Sequence, residues 1–428
     1  MKKNDKAEVK VESMTNLGYG VARIGGVVTF VGGAADGDRA EIKIIKAAQG
    51  YNAARVERLI EPSAHRCDPG CPAYPRCGGC SFRHVTYEHE KELKRGFVEA
   101  AMKKNHVDIR VSDVVSDGNV SGWRNKVEYP VGGGYFGCYA RHSHDVVRLP
   151  DSGCRIQDKA FDRITAHLSD AAAGIRGLRH TYLRRAVGTG EIMLCFVTEE
   201  NAVIGRNVID GVTREFPEIV SAVQNFNGSD GNVILGERTV TLWGKSTIRD
   251  VLCGLSFDMS PESFYQVNHG MAEMMYRRAA ELLDLSPGSR LIDLFCGIGT
   301  IGLSVAAMSK DIRLTGVEIN ESAVINAGAN ARLNGIEAEF ILGDANAVGE
   351  ISADAVVVDP PRKGIGPELV GRLCEKGPEK LLYISCNPET LARDLAGLGK
   401  AYRWENAEPF DLFPRTGHVE TVVLLSRK

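Results

Sequence analysis

No stretch of the 428-residue chain approaches the ~20 consecutive apolar residues of a membrane-spanning helix, so no membrane association is expected. The basic opening, MKKNDKAEVKVES, has no apolar core behind it and does not read as a signal peptide. A cytoplasmic protein acting as a monomer is the expectation. Internal repeats and low-complexity tracts are absent as well, and 43% hydrophobic with 25% charged residues exclude a disordered or fibrous chain. At about 150 residues per domain, the length allows two to four domains. A large excess of positive charge is also missing. The net charge of −3 argues against a protein that coats nucleic acid through charge alone.

Cysteine, by contrast, is plentiful. Eleven of them, odd in number and unevenly spaced, point in a reducing compartment to metal or thiol chemistry rather than to disulfides. The charge is uneven too: residues 1–60 carry 10 Lys and Arg against 7 Asp and Glu, and residues 76–110 carry 8 against 5. This basic excess adjoins the cysteines, where it marks either a polyanion-binding face or an ordinary solvated one.

Residues 7–60 alternate apolar and polar side chains in the runs AEVKVES, GVARIGGVVTFV, DRAEIKIIKA and NAARVERLIE, broken by the turn sequences NLGYG, GGAADGD and AAQGYN. Four or five strands in so short a span fit an OB-like β-barrel over residues 1–60. Residues 61–260 read as a central α+β domain. It opens on a Cys-, Pro- and Gly-rich loop, continues with a helix over 86–107 that has a basic face, and then mixes strands and helices without a clear period. From 261 to 428 strand and helix alternate. Candidate strands at 290–295, 312–319, 338–343, 354–359, 380–386 and 419–425 are short apolar runs that build a mostly parallel sheet with helices on both faces.

The first of these strands runs into Asp293-Leu294-Phe295-Cys296-Gly297-Ile298-Gly299-Thr300. Glycines at such a turn bring backbone close to a ligand at the helix N-terminus, although a bare packing turn carries them as well. The next strand ends in Glu318, an acidic residue about 20 positions on and placed for ribose hydroxyls. The ligand is a dinucleotide or S-adenosylmethionine. GxGT spacing is poor for cradling a pyrophosphate, and the loop resembles the first motif of class I methyltransferases. Asp359-Pro360-Pro361-Arg362 ends the fourth strand at the carboxyl edge, where open α/β sheets bind ligands. Amino-group methyltransferases carry a similar motif with an aromatic where Arg362 stands, so methylation of an amino group is disfavoured.

Cys386 ends the fifth strand just before a helix that begins near Pro388. A thiol at a helix N-terminus is expected to have a lowered pKa and to serve as a nucleophile, though a strand cysteine is ordinarily buried and inert. Glu420 closes the run FDLFPRTGHVE and by itself reads as a surface acid.

Taken together, DPPRKG, LYISCNPET and FDLFPRTGHVE resemble the RNA uracil-5-methyltransferases. The likeness continues upstream through Ser263-Phe264-Tyr265-Gln266-Val267-Asn268, Arg124-Asn125-Lys126 and the CGGC cluster to the barrel, which looks like a TRAM domain. Nearly the whole chain is covered. The resemblance implies a class I, Rossmann-like domain that uses S-adenosylmethionine to methylate C5 of a uridine in RNA. It implies Cys386 as the nucleophile that adds to C6 and Glu420 as the acceptor of the C5 proton. It also implies Gln266, Phe295, Glu318 and Asp359 around the cofactor, with Asp344 a further candidate at the adenine end. Arg415 departs from the family, which usually has Gln, His or Tyr there.

Cys67, Cys71, Cys77 and Cys80 lie within 14 residues as C-x3-C-x5-C-x2-C, a density that points to a metal, and zinc on these four is the plain reading. The stretch CPAYPRCGGC is similar instead to the iron–sulfur loop of the 23S ribosomal RNA branch of the family. The fourth ligand of that loop is matched by Cys154. This resemblance implies a structural [4Fe–4S] cluster on Cys71, Cys77, Cys80 and Cys154, with Cys67 spare. Radical chemistry is disfavoured because no contiguous C-x3-C-x2-C is present. The implied partner is ribosomal RNA, met by the barrel and by the basic residues Arg83, Lys91, Lys94 and Arg95. Competing readings are a transfer RNA methyltransferase, a non-catalytic factor that senses S-adenosylmethionine, and a zinc-bound RNA chaperone. The presence of both Cys386 and Glu420 speaks against the non-catalytic ones.

Overall fold

The alternation in the first sixty residues produces six strands, Lys6–Lys10, Ser13–Met14, Tyr19–Ile24, Val27–Gly32, Arg39–Ala48 and Tyr51–Glu61, in one sheet of the computed structural model. The model describes residues 1–229, 231, 233–347 and 351–428. Neighbouring strands here are antiparallel except for Val27–Gly32 beside Tyr51–Glu61. Inward side chains of Val9, Val11, Ala22, Val31, Ile42, Ile44 and Ala54 give the sheet its own core, while their polar neighbours along each strand face out.

A seven-stranded sheet between Lys126 and Gly244 follows, with the helices Lys159–Gly174 and Arg206–Glu215 against one face. The C-terminal sheet has eight strands. Those expected from sequence lie at Arg290–Leu294, Arg313–Glu318, Ala338–Leu342, Ala355–Val358, Lys380–Ser385 and Glu420–Arg427. The first five run parallel and the last is antiparallel to Lys380–Ser385. Two more complete the sheet. Tyr402–Phe410 is rich in charged residues that hide its pattern, and the two-residue strand Arg110–Val111 arrives from far upstream to pair with it. The helix expected over 86–107 spans Tyr87–Lys104, and its Val98, Ala101 and Met102 share a core with Leu391, Leu395 and Leu398 of the C-terminal domain. The sequence boundary of 61–260 thus groups a helix and a strand with the central sheet, whereas they pack on the C-terminal one. An amphipathic face declares that it has a partner, not which one. Among the described residues, no helix is long and apolar enough to cross a membrane.

That helix is fixed by a buried cation. Lys94 Nζ donates to Glu90 Oε1 at 2.8 Å, to Asp411 Oδ1 at 2.7 Å and to the Phe413 carbonyl at 3.1 Å. All three charged side chains are 0% exposed. The second Asp411 oxygen accepts from the Tyr87 hydroxyl at 2.8 Å. Arg415 extends the network: its backbone N–H donates to Glu90 Oε1 at 2.6 Å and its guanidinium to the Val85 carbonyl at 2.9 Å. The Arg415 carbonyl accepts from the N–H groups of Ser81 and Phe82 at 2.8 and 3.1 Å. Two residues on, a Cβ added to Gly417 would stand 1.5 Å from the Asn16 carbonyl oxygen of the barrel. The loop leading into Glu420 is therefore seated on the helix, the cysteine loop and the barrel at once.

This corrects the expectation that the basic residues of 83–95 form one RNA-binding face. Lys94 is wholly consumed by buried carboxylates, and Arg83 is buried with its Nε donating to the Pro69 carbonyl at 2.9 Å. Lys91 and Arg95 keep partial exposure. Replacing Lys94 by Met would leave Asp411 buried without its cation and Glu90 with only the Arg415 guanidinium at 3.5 Å, a change that costs roughly 3–5 kcal/mol. A clearly lowered unfolding midpoint in urea is expected, and an unchanged midpoint would show that this network does not hold the fold.

Candidate active site

Strand register assembles the site before any side chain is considered. Extending the pairing of Leu294 with Val317 and Val358 by one residue sets Phe295, Glu318 and Asp359 in one row, at the carboxyl ends of three adjacent parallel strands. The antiparallel ladder between Lys380–Ser385 and the last strand ends with Ser385 opposite Thr421. Cys386 directly follows Ser385 and Glu420 directly precedes Thr421, so both stand where this ladder ends.

The electrostatics place these groups in one neighbourhood. Glu420 is 3% exposed, and burial followed by the nearby Asp359 pushes its carboxyl well above the usual range, with Arg362 opposing. Burial likewise pushes Asp359 up to about 7. The Cys386 thiol is pushed up to about 11, by burial first and then by Glu420 and Asp359, again with Arg362 opposing. This is the reverse of the lowered value expected from sequence. The helix is present, running from Pro388 to Leu398 with Asn387 as its cap. Its N-terminal dipole is outweighed by burial and by two acidic neighbours. In the free protein at neutral pH the thiol is protonated. The Arg362 carbonyl accepts from Asn387 Nδ2 at 2.9 Å and Thr390 Oγ1 at 3.2 Å, which clips the DPPR loop to the helix that follows the thiol.

On the cofactor side, Phe295 has a φ of 65°, a left-handed conformation rare for an aromatic residue, and it turns the strand sharply into the glycine loop. Glu318 Oε2 accepts from the Gly297 N–H at 3.1 Å and Oε1 from the Asn320 N–H at 2.9 Å, so the carboxylate is fixed across the mouth of that loop. Asp293 belongs with these residues, although sequence reasoning quoted it only as part of the motif. It accepts from the Gly302 N–H at 2.8 Å, and burial, with Asp359 and Glu318 near, pushes it up to about 7. Asp344 is exposed beyond the end of Ala338–Leu342, held by the Asn346 N–H at 2.9 Å. Gln266 is buried on the loop before the helix His269–Leu283. Its carbonyl accepts from Asn125 Nδ2 at 3.2 Å, and Asn326 Nδ2, from the helix after Glu318, donates to Ser263 Oγ at 3.2 Å. These bonds tie the SFYQVN segment to the RNK motif and to the cofactor side. The Gln266 side chain is not hydrogen-bonded to Phe295, Glu318 or Asp359.

A separate cavity of about 370 Å³ is lined by Cys71, Cys77, Cys80, Cys138 and Cys154. The cysteine loop is strapped to the central sheet there, through Gly78 N–H to the Tyr139 carbonyl at 2.9 Å and Arg141 N–H to the Arg76 carbonyl at 3.1 Å. Cys67 turns away, its Sγ lying 3.0 Å from the Val85 carbonyl and 3.5 Å from that of Arg83. The local four-cysteine arrangement that zinc would need loses a donor. Among the described residues, no three or more Cys, His, Asp or Glu side chains are drawn together as ligands of one metal ion. Cys138 escaped sequence reasoning because it belongs to no spacing motif; only the fold brings it to this cavity.

Over residues 2–56 the chain matches the TRAM domain family, over 278–382 the Methyltransferase small domain, and over 339–428 the tRNA (Uracil-5-)-methyltransferase family. An uncharacterized RNA methyltransferase of Clostridium tetani is 35% identical, the alignment covering 100% of this chain and 97% of that one. Another, from Halalkalibacterium halodurans, is 36% identical over 100% of this chain and 98% of its own. Among solved structures, the Pyrococcus abyssi tRNA (uracil-54, C5)-methyltransferase in complex with S-adenosyl-L-homocysteine aligns with a TM-score of 0.78 and 27% identity, over 98% of this chain and 100% of that one. The mixed α/β methyltransferase fold and the N-terminal TRAM domain expected from sequence are both present.

Glu420 holds the Cys386 thiol up, so Glu420→Gln should let it fall. Burial is the larger cause and remains, so the shift covers only part of the displacement. Alkylation of Cys386 by iodoacetamide, followed by peptide mass spectrometry from neutral to alkaline pH, should show the midpoint moving down from about 11 in the variant. A midpoint that stays or rises would mean the two groups do not face each other.

Proposed function

The chain belongs to the RNA uracil-5-methyltransferase family, and on that premise we propose that it transfers a methyl group from S-adenosylmethionine to C5 of a specific uridine in 23S ribosomal RNA. The observation that supports this reading is that Cys386 and Glu420 flank the last pair, Ser385 with Thr421, of one ladder at the carboxyl edge of the sheet, whose neighbouring strands end just before Phe295, at Glu318 and just before Asp359.

S-adenosylmethionine supplies an electrophilic methyl group when bound. Uracil C5 is too weak a nucleophile to take it unaided. In this reading the Cys386 thiolate adds to C6, which makes C5 an enolate carbon. After C5 is methylated, Glu420 accepts the C5 proton. The electrons of the C–H bond re-form the C5–C6 double bond, and the Cys386 thiolate leaves. General-base help of this kind is worth roughly 10²–10⁴-fold. Glu318, fixed by the Gly297 N–H, takes the ribose hydroxyls, with Phe295, Asp359 and Gln266 as the other cofactor residues. The Cys386 thiol, pushed up to about 11, is protonated at pH 7, and burial raises the Glu420 carboxyl as well. A positive charge brought beside Asp359 and Cys386 would favour their ionised forms and so arm the thiol.

The cysteine cavity we assign to a [4Fe–4S] cluster held by Cys71, Cys77, Cys80 and Cys154. Soft thiol donors converging on one cavity fit iron–sulfur chemistry. A single zinc ion with Zn–S bonds of about 2.3 Å would need its sulfurs within roughly 4 Å of one another. A cluster holds them farther apart. Its role in this reading is structural, fastening residues 71–80 to the segment around Cys154.

A transfer RNA substrate is the second reading. It is favoured by the Pyrococcus tRNA (uracil-54, C5) enzyme, which aligns over 100% of its own length, so possession of the barrel does not separate the two substrates. Mapping 5-methyluridine in ribosomal and transfer RNA from a strain lacking the gene decides between them. Loss of one 23S position supports the first reading, loss confined to transfer RNA supports the second, and loss of neither overturns both.

Two variants test the chemistry. Cys386→Ala should abolish methyl transfer while S-adenosylmethionine binding, measured by calorimetry, stays as in the parent. Glu420→Gln should allow addition and methylation but not release, so a slow-migrating covalent RNA adduct should build up on a denaturing gel. Turnover by the first variant, or the absence of any adduct with the second, would remove those residues from their roles.

A further inference from the structure

Four thiolates complete a [4Fe–4S] cluster. The cavity assigned to it has a fifth thiol, Cys138, contributed by the strand Tyr135–Tyr139 of the central sheet and not by the cysteine-rich loop. Cys77 forms an antiparallel bridge with Ala140, and Gly78 N–H donates to the Tyr139 carbonyl at 2.9 Å. This lays the loop along the strand: Cys77 stands opposite Ala140, which shares a strand face with Cys138 two residues away, and both cysteines line the cavity. The strand has little freedom to shift. Cys138 pairs with Val147, and a Cβ on the adjacent Gly137 would stand 2.4 Å from the Val147 carbonyl oxygen. Cys67, although close to the ligands in sequence, is turned to the Val85 and Arg83 carbonyls and has no part in the cavity. The remote cysteine is the available one.

We propose that Cys138 is a reserve ligand that takes over from Cys77, an inference that rests on the cluster assignment above. The exchange balances without any oxidant or reductant. In the exchange the Cys138 sulfur would take the place of the Cys77 sulfur on the same iron, and the proton lost by Cys138 would leave on the displaced Cys77 thiol. One thiolate enters as one leaves, and the charge of the site is unchanged. Because both thiols already face one cavity, the swap requires side-chain rotation and no rearrangement of loop or strand.

The full-length chain, purified anaerobically, tests this as the parent, Cys77→Ser, Cys138→Ser and the double variant. Iron and acid-labile sulfide are counted, and the electron paramagnetic resonance spectrum is recorded after reduction by dithionite. Parent and Cys138→Ser should each carry about four irons with the same spectrum. Cys77→Ser should keep its iron with an altered spectrum, and the double variant should lose it. Iron lost from Cys77→Ser as completely as from the double variant overturns the proposal, as does iron lost from Cys138→Ser alone. A parent without iron would instead overturn the cluster assignment itself, and the reserve role with it. S-adenosylmethionine binding reports whether each variant is folded. If Cys77→Ser fails that check, the parent decides. Stripped of iron by a chelator and treated with oxidised glutathione, it should form a Cys77–Cys138 disulfide in peptide maps. The two thiols give up two protons and two electrons, reducing one glutathione disulfide to two thiols. Cys77 joined to any other cysteine would overturn the juxtaposition.

Discussion

Everything near the reactive edge depends on how the buried Lys94 is neutralised. Taking a charge out of water costs several kcal/mol even after relaxation, and only close, hydrogen-bonded counter-charges offset that cost. Lys94 meets Glu90 on its own helix and Asp411 from the end of the chain, and Arg415 adds a second cation against Glu90 at 3.5 Å. Two acids and two bases balance only when helix and loop occupy one relative position. The loop so fixed ends at Val419, and Glu420 is the next residue. A general base must stand within hydrogen-bond reach of the proton it takes. For Glu420 in its proposed role, that placement would be secured by charges well outside the pocket.

Inside the pocket the logic is opposite. Asp359 and Glu420 stand beside the Cys386 thiol and Asp293 lies near Asp359 and Glu318, with Arg362 the cation that acts on Glu420 and Cys386. Burial and the neighbouring acids push both the Cys386 thiol and the Glu420 carboxyl up. A protonated thiol is a poor nucleophile and a poor target for oxidants. In the function proposed above, a cationic ligand among these acids would favour the thiolate.

How much of this was legible in the sequence follows from which forces act locally. The parallel strands were legible because strands covered on both faces read as unbroken apolar runs, AVVV and KLLYIS among them. Tyr402–Phe410 was not, since its charged residues break the pattern and its place depends on pairing with the final strand. Read singly, Glu420 is a surface acid and Cys386 an inert strand residue; only the long motifs set them apart. The direction of the thiol shift was misjudged because a helix N-terminus is visible in sequence, whereas the opposing acids come from other strands. Lys94 misled for the same reason. A lysine four residues after a glutamate reads as a solvated pair, and the partner that buries it lies more than 300 positions away. Nearness in sequence also overrated Cys67 and concealed Cys138.

Arg415, the departure from the family pattern, finds its explanation at the junction of these parts. Its side chain is 13% exposed and points inward, donating to the Val85 carbonyl and lying 5.5 Å from the centre of the Tyr87 ring. Its backbone holds a φ of 72°, a left-handed conformation that a β-carbon makes unfavourable. It is kept there by Glu90 on its N–H and by Ser81 and Phe82 on its carbonyl. Ser81 directly follows Cys80. The cysteine cavity and the Glu420 carboxylate are therefore joined through short backbone links, from Cys80 to Ser81, across to Arg415, and along the loop to Glu420. A rigid group in that cavity would fix one end of this path, and Lys94 fixes its middle. In the proposed function, the cysteine site would bear on the reaction only through this path, by holding Glu420 still.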